Sequence, residues 1–230
     1  GVLNGEVKID NFDKEPAING NLSFLNILVN DYLIGNFKVD SRVDLPEKKV
    51  YLSGGLFSRE NYIDIKGAYS FKKTSTEKDI DVDIFIKQFT IKSLEDFIPE
   101  FISNSSGTVN GNLNISGSRT APNLNGYVDV NDVTTTVAYT QVPYTIAGTR
   151  ATFTDNVIQL ADRVTVQDNE GNVAYGTGKI THENLKKWAL DLEINSSKIK
   201  ALNTTIKDNP DFYGTAYLNG GATFTGSTDG

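Results

Sequence analysis

Alternation of apolar and polar residues is the feature that most constrains the fold of this 230-residue chain. It is clearest in residues 79–86, where aspartates beginning at Asp79 alternate with Ile80, Val82, Ile84 and Ile86. A period of two places successive side chains on opposite faces of a β-strand. The pattern therefore predicts strands with one apolar face and one acidic, solvated face.

The rest of the chain predicts that such strands pair in antiparallel fashion. The alternation recurs around Leu192, and Asn-Gly steps begin at residues 4, 19, 110, 125 and 219. This dipeptide is typical of tight hairpin turns. Parallel strands would need crossover connections of about a dozen residues or more, which the sequence lacks. We therefore predict an all-β fold with an antiparallel-rich sheet.

One segment, residues 93–102, has helical spacing of its apolar residues. Ser93 and Asp96 resemble a capping box at its start. Pro99 would remove a hydrogen bond and clash with the preceding turn of a longer helix. We expect at most one short helix near residues 93–102, with its apolar side chains packed on the sheet.

Composition argues against several functions. The net charge of −7 disfavours binding to a phosphate backbone, so nucleic acid is not an expected partner. Without cysteine, and with His182 as the only histidine, the chain lacks the residues of the usual zinc sites. His182 lies in a polar stretch that predicts an exposed hairpin tip. We expect no metal, no cofactor and no enzymatic activity.

An internal repeat appears when the chain is shifted by 106 residues. Residues 1–20 and 107–126 then share seven identities without a gap, including Pro16 with Pro122. The repeat predicts three segments: 1–106, a first β repeat ending in the short helical segment; 107–213, a second β repeat; and 214–230, the start of a third. Such repeats stack on their neighbours, so one continuous, elongated sheet is expected.

The repeat seams resemble the TamB family, the inner-membrane component of the bacterial translocation and assembly module, within the AsmA-like group. The similarity is carried by Gly107-x3-Gly111-x5-Gly117-x4-Pro122-x3-Gly126, by residues 152–160 and by Asp168-Asn-Glu-Gly-Asn172 before Gly176-Thr-Gly178. Asp211-Phe-Tyr-Gly214 also resembles the C-terminal region of the family.

This resemblance implies a curved β-taco, or half-pipe, with a hydrophobic concave face. It implies a periplasmic portion of an inner-membrane-anchored envelope protein that moves phospholipid between membranes and assists outer-membrane protein assembly. The implied partners are phospholipid acyl chains, a TamA-like outer-membrane protein of the Omp85 type and nascent outer-membrane β-barrel proteins.

A lipid-binding groove would need inward-pointing apolar side chains from the alternating strands. We predict that it is lined by Ile80, Val82, Ile84, Ile86, Leu113, Ile115, Val128, Val130, Leu190, Leu192 and Ile194.

Alternation is equally typical of a closed β-sandwich. Tyr139, Tyr144, Tyr175, Trp188 and Tyr213 would then suit an extracellular adhesin or carbohydrate-binding module. A third hypothesis is that exposed strand edges template nascent barrel strands.

Overall fold

A computed structural model describes residues 1–11, 16–74, 79–95, 97–184 and 187–227. Strands account for most of these residues, which confirms the all-β prediction. The elements are β1 (Val2–Asp10), β2 (Ala17–Val29), β3 (Tyr32–Asp44), β4 (Lys49–Phe57), β5 (Tyr62–Ser70), β6 (Ile80–Thr90), α1 (Lys92–Glu95), β7 (Ile102–Ser118), β8 (Ala121–Val137), β9 (Val142–Ile146), β10 (Thr149–Thr154), β11 (Val157–Leu160), β12 (Val164–Asp168), β13 (Val173–Glu183), β14 (Lys187–Thr204) and β15 (Gly214–Ser227).

Within the described ranges, the strands form a 15-stranded antiparallel sheet. Strands β1 to β8 follow one another in chain order. Beyond them, β11 and β12 lie one after the other along the same edge of β13, whose other edge pairs with β14. Strand β12 also pairs with β9, and β14 pairs with β15. The predicted antiparallel organisation is therefore confirmed.

The chain divides into two compact units. The first unit contains residues 1–89, 110–127 and 153–156, and the second contains residues 90–109, 128–152 and 157–230. The division at residues 106 and 213 that the repeat predicts stays a prediction.

Helix α1 spans only Lys92–Glu95, which confirms that the predicted helix is short. Beyond it, single turns continue to Ile102, with Phe101 N–H donating to the Ile98 carbonyl. The predicted packing of its apolar residues is wrong, because Phe97 and Phe101 are 58% and 62% exposed. Asp96 lies outside the described residues. No helix in the part of the chain that the structure describes is long and apolar enough to cross a membrane.

The Asn-Gly steps do not form the predicted hairpin turns. All five lie inside strands: β1, β2, β7, β8 and β15. The two-residue turn between β2 and β3 is instead made by Asn30 and Asp31, whose φ angles are 45° and 67°. Two consecutive positive φ values define a type I′ turn, which asparagine and aspartate tolerate.

Gly126 shows why one of these steps lies within a strand. Its φ is +128°, and a Cβ atom built on it would lie 2.1 Å from the Asn112 carbonyl oxygen. Only glycine allows this close approach of two backbones. We expect Gly126→Ala to destabilise the chain by more than about 1 kcal/mol, measured by urea unfolding. Gly226→Ala, which meets open space, is the control; equal effects would contradict the steric explanation.

Candidate functional site: the apolar faces of the sheet

The first unit has a continuous apolar face across β1 to β6. Directly paired residues of an antiparallel sheet share a face, so the registers of these strands define four rows of side chains. The rows are Leu3, Phe24, Phe37, Leu56, Ile63 and Ile86; Gly5, Leu22, Val39, Gly54, Ile65 and Ile84; Val7, Gly20, Ser41, Leu52, Gly67 and Val82; and Ile9, Ile18, Val43, Val50, Tyr69 and Ile80. Ser41 and Tyr69, which each carry a hydroxyl group, are the residues in these rows that are neither purely apolar nor glycine.

Two further predicted residues, Leu113 and Ile115, lie on the apolar side of β7. Between them, the Asn114 amide donates to Asp81 and Asp83 at 3.1 and 2.8 Å. These aspartates alternate with the apolar residues of β6 and therefore point to the opposite, polar face. Because Asn114 shares that polar face, its two neighbours must point to the apolar one.

In the part of the first unit that the structure describes, no second layer covers the apolar face. Among the described residues of this unit, the buried apolar side chains are Ile34 and Leu124. The predicted residues on β6 and β7 are all half-buried. The four rows extend about 24 Å across the strands and about 20 Å along them. The largest apolar patches of soluble monomers have areas of about 300–600 Å² and are often functional.

A cavity of about 810 Å³ lies over the polar face of the first unit. Its lining includes Lys8, Asn21, Asp40, Arg42 and Lys66. The resemblance implied a concave apolar face, whereas this concavity is lined mainly by the charged side of the sheet, with Gly20, Ser41, Leu52 and Gly67 of the third row also in its lining. The apolar face of the unit is therefore a candidate site because of its composition and exposure, and this cavity does not contribute to it.

Asp79 differs from the solvated residue that the alternation predicted. Its side chain is fully buried and lies 3.7 Å from the Arg119 guanidinium, whereas Asp81 and Asp83 are exposed. Asp79 N–H also donates to the Gly117 carbonyl. It therefore anchors the start of β6 within the first unit.

The second unit has its own apolar face, which contains the predicted β14 residues. Leu190 pairs with Ile180 of β13, and Leu192 pairs with Phe224 of β15. Ile194 pairs with Ala222 on the same face. Leu190 is 39% exposed, and the other two predicted residues are half-buried. This end of the face is open to solvent.

Val128 and Val130 lie on one side of β8 in the second unit. Between them, Asp129 binds Arg150, with 2.6 Å between Oδ1 and Nε. Alternation places the two valines on the side opposite this ion pair. Both are half-buried, like the predicted residues of β6.

The other end of the second unit has a small closed core. The apolar residues buried there are Val133, Val142, Val164, Ala174 and Ile199. Pairing of β14 with β13 ends at Ser196, and bulges follow before Ile199 and before Leu202. The bulged part of β14 contacts β9 and β12. Side chains from β9 and β12 form hydrogen bonds with the backbone of this bulged part of β14.

We call the residues that hold this bulge the Asp168 clasp: Tyr144, Asp168, Glu170, Asn172 and Lys200. Lys200 N–H donates to Asp168 Oδ2 at 2.8 Å, and the Tyr144 hydroxyl donates to the Lys200 carbonyl at 2.7 Å. Asp168 also accepts from the backbone N–H groups of Glu170 and Asn172 and from the Asn172 amide. Lys200 Nζ lies 2.6 Å from Glu170 Oε1. The clasp closes one end of the second unit.

The clasp should make the second unit sensitive to acid. Burial raises the pKa of Asp168, but hydrogen bonds from Asn172 and from Lys200 N–H outweigh it and hold that pKa below its ordinary value. Stability from Asp168 is then complete above the unfolded pKa of about 3.9, and is lost as the pH falls through the folded value. We expect the urea unfolding midpoint of the wild type to fall between neutral and acidic pH, and Asp168→Asn to show a smaller fall. An equal fall in both proteins would contradict this role of the Asp168 carboxylate.

The aromatic residues that suggested sugar binding do not form one platform. Trp188 packs on His182, with 5.0 Å between ring centroids, and Arg163 stacks on Tyr175 at 3.6 Å. Tyr144 belongs to the clasp, whereas Tyr139 and Tyr213 are exposed on loops. The predicted exposure of His182 is wrong: it lies within β13 and is 4% exposed.

Comparison with known proteins gives one family. Residues 162–230 match the model of the TamB C-terminal domain. No match was found among curated proteins or among solved structures. The matched range contains β13, β14 and β15, all residues of the Asp168 clasp except Tyr144, and the open apolar end around Leu192. This match shows that residues 162–230 of the chain are similar to the TamB C-terminal domain.

Proposed function

We propose that this chain is a non-catalytic segment that shelters phospholipid acyl chains on the apolar faces of its sheet. In this proposal, it is a periplasmic part of an inner-membrane-anchored envelope protein and serves transport between the inner and outer membranes. The TamB family match points to the translocation and assembly module. A TamA-like outer-membrane partner and assistance to nascent barrel proteins belong to the same proposal.

The observation that carries the proposal is the uncovered apolar face of the first unit. Antiparallel sheets ordinarily pack one face on a core and leave the other in water. Here the polar face is solvated, as expected. The described part of this unit, however, provides no layer that covers the apolar residues Leu22, Val39, Ile65 and Ile84. A hydrocarbon occupant would supply the missing apolar contacts.

Contact with such a face lowers the free energy of an acyl chain relative to water. Each exposed methylene costs about 0.8 kcal/mol in water, so a chain of about 16 carbons costs on the order of 13 kcal/mol. A row of half-buried Val, Ile, Leu and Phe side chains lowers this cost without enclosing the lipid. The charged headgroup can remain in water, which avoids the penalty for burying an unpaired charge.

The proposal is tested by extracting lipid from the purified chain and identifying it by mass spectrometry. We expect phospholipid to co-purify in detergent-free buffer. Chain without bound phospholipid, and without uptake from added fluorescent phospholipid, would contradict the proposal. Binding on a glycan array in place of lipid would favour the carbohydrate-binding alternative, and capture of unfolded barrel hairpins alone would favour templating.

A further inference from the structure

The most exposed apolar side chains of the second unit are concentrated in its loops. Among the described residues, seven large apolar or tyrosine side chains are at least 58% exposed, and five of them lie in loops of this unit. The other two, Leu3 and Val7, are on the edge strand β1. We define the loop-end patch as Phe97, Phe101, Tyr139, Ile206, Phe212 and Tyr213.

Contacts within the second unit hold the three loops of the patch together. Ala138 N–H donates to the Phe101 carbonyl at 2.9 Å, which joins the α1–β7 loop to the β8–β9 loop. Tyr139 packs on Phe212, with 5.6 Å between ring centroids, which joins the β8–β9 loop to the β14–β15 loop. Asn203 N–H also donates to the Thr140 carbonyl at 2.8 Å. The exposed rings therefore belong to one end of the unit.

We propose that the loop-end patch inserts into the interfacial layer of a phospholipid bilayer. Phenylalanine and isoleucine would enter the acyl boundary, and the tyrosines would sit at headgroup level, where amphipathic rings are favoured. The patch consists of side chains on separate turns, an arrangement that suits a deformable lipid surface better than a flat protein partner. The proposal rests on the proposed function only in its choice of phospholipid.

The charges around the patch disfavour an anionic bilayer surface. Lys92 is paired with Glu95, and the remaining Lys207 is outnumbered by Glu100, Asp208 and Asp211. Binding should then depend on apolar insertion and change little with salt, because screening acts on charge–charge attraction.

The test is flotation of the whole chain with protein-free phosphatidylcholine vesicles. We expect the wild type to float with the vesicles at low and at high salt, and Phe101→Ser/Tyr139→Ser to bind at least tenfold more weakly. The matched control is Val2→Ser/Phe85→Ser, which removes two apolar side chains that are 54% and 46% exposed elsewhere. The control should float like the wild type.

Two variants separate membrane insertion by the loop-end patch from phospholipid binding on the apolar face. The patch variant should retain co-purified phospholipid, and Ile84→Arg should lose that lipid but still float. A wild type that does not bind protein-free vesicles would overturn the proposal, as expected if the patch docks on a protein. Equal loss in the patch and control variants, or binding that requires anionic lipid and disappears in salt, would also overturn it.

Discussion

Replacing Ile84 or Leu192 with arginine should reduce the phospholipid bound to the purified chain at least tenfold. Each side chain lies within an apolar face, Ile84 beside Ile65 and Leu192 beside Phe224. A guanidinium placed among acyl chains must lose solvation without gaining a partner, which costs several kcal/mol. Both positions are half-buried, so a long arginine can reach water in the lipid-free protein without unfolding it.

The chain provides a matched control for the Ile84 variant. Phe85 is the next residue on β6, is 46% exposed and points to the polar face. Phe85→Arg introduces the same charge and should leave lipid binding within about twofold of the wild type, because the added charge stays in water. Circular dichroism should show strand content in all variants. Equal lipid binding by folded Ile84→Arg and Phe85→Arg would contradict the proposed role of the apolar face.

Removing the Asp168 carboxylate should produce the largest loss of stability in the second unit. Asp168→Ala would leave Lys200 N–H, both Asn172 donors and Glu170 N–H without their acceptor. Each hydrogen bond to a buried charged group contributes about 1.5–3 kcal/mol. Because Asp168→Ala breaks a network of such bonds, we expect it to lower the free energy of unfolding by about 3 kcal/mol, in the upper range of single-site effects. A lower urea midpoint measures this loss.

Asp191→Ala is the control for the Asp168 variant. Asp191 is an exposed carboxylate on the polar face of β14, and its removal should change the free energy of unfolding by no more than about 0.5 kcal/mol. Tyr144→Phe should have an intermediate effect because it removes one hydrogen bond to the same bulge. If Asp168→Ala unfolded at the same urea concentration as Asp191→Ala, the clasp would not be what closes this end.

The faces of the sheet were predictable from the sequence because side chains alternate strictly along a strand. Once Ile84 is assigned to the apolar side, Ile80 and Ile86 must follow, and the register carries this assignment to Ile65. The short helix was predictable because Pro99 stops a longer one. The exposure of the Phe97 and Phe101 side chains was not predictable, because the spacing of apolar residues shows which of them share a face but not whether another element covers that face.

The remaining differences arise from tertiary contacts. Asn125-Gly126 has the composition of a turn, but the nearby Asn112 backbone requires the glycine within a strand. His182 has polar neighbours in sequence, whereas in the sheet it lies against Trp188. The role of Asp168 depends on a bulge in a strand more than 30 residues away. Sequence alone provides no local signal for such long-range partners.

Site-specific photo-crosslinking can show directly whether phospholipid lies on the apolar face around Ile84. A benzophenone amino acid would be placed at Ile84 in one sample and at Phe85 in another, and bacterial envelopes containing each would be irradiated. We expect phospholipid adducts, identified by mass spectrometry, from position 84 and few or none from position 85. Equal lipid adducts at both positions, or adducts at 85 alone, would show that phospholipid does not bind preferentially to the apolar face.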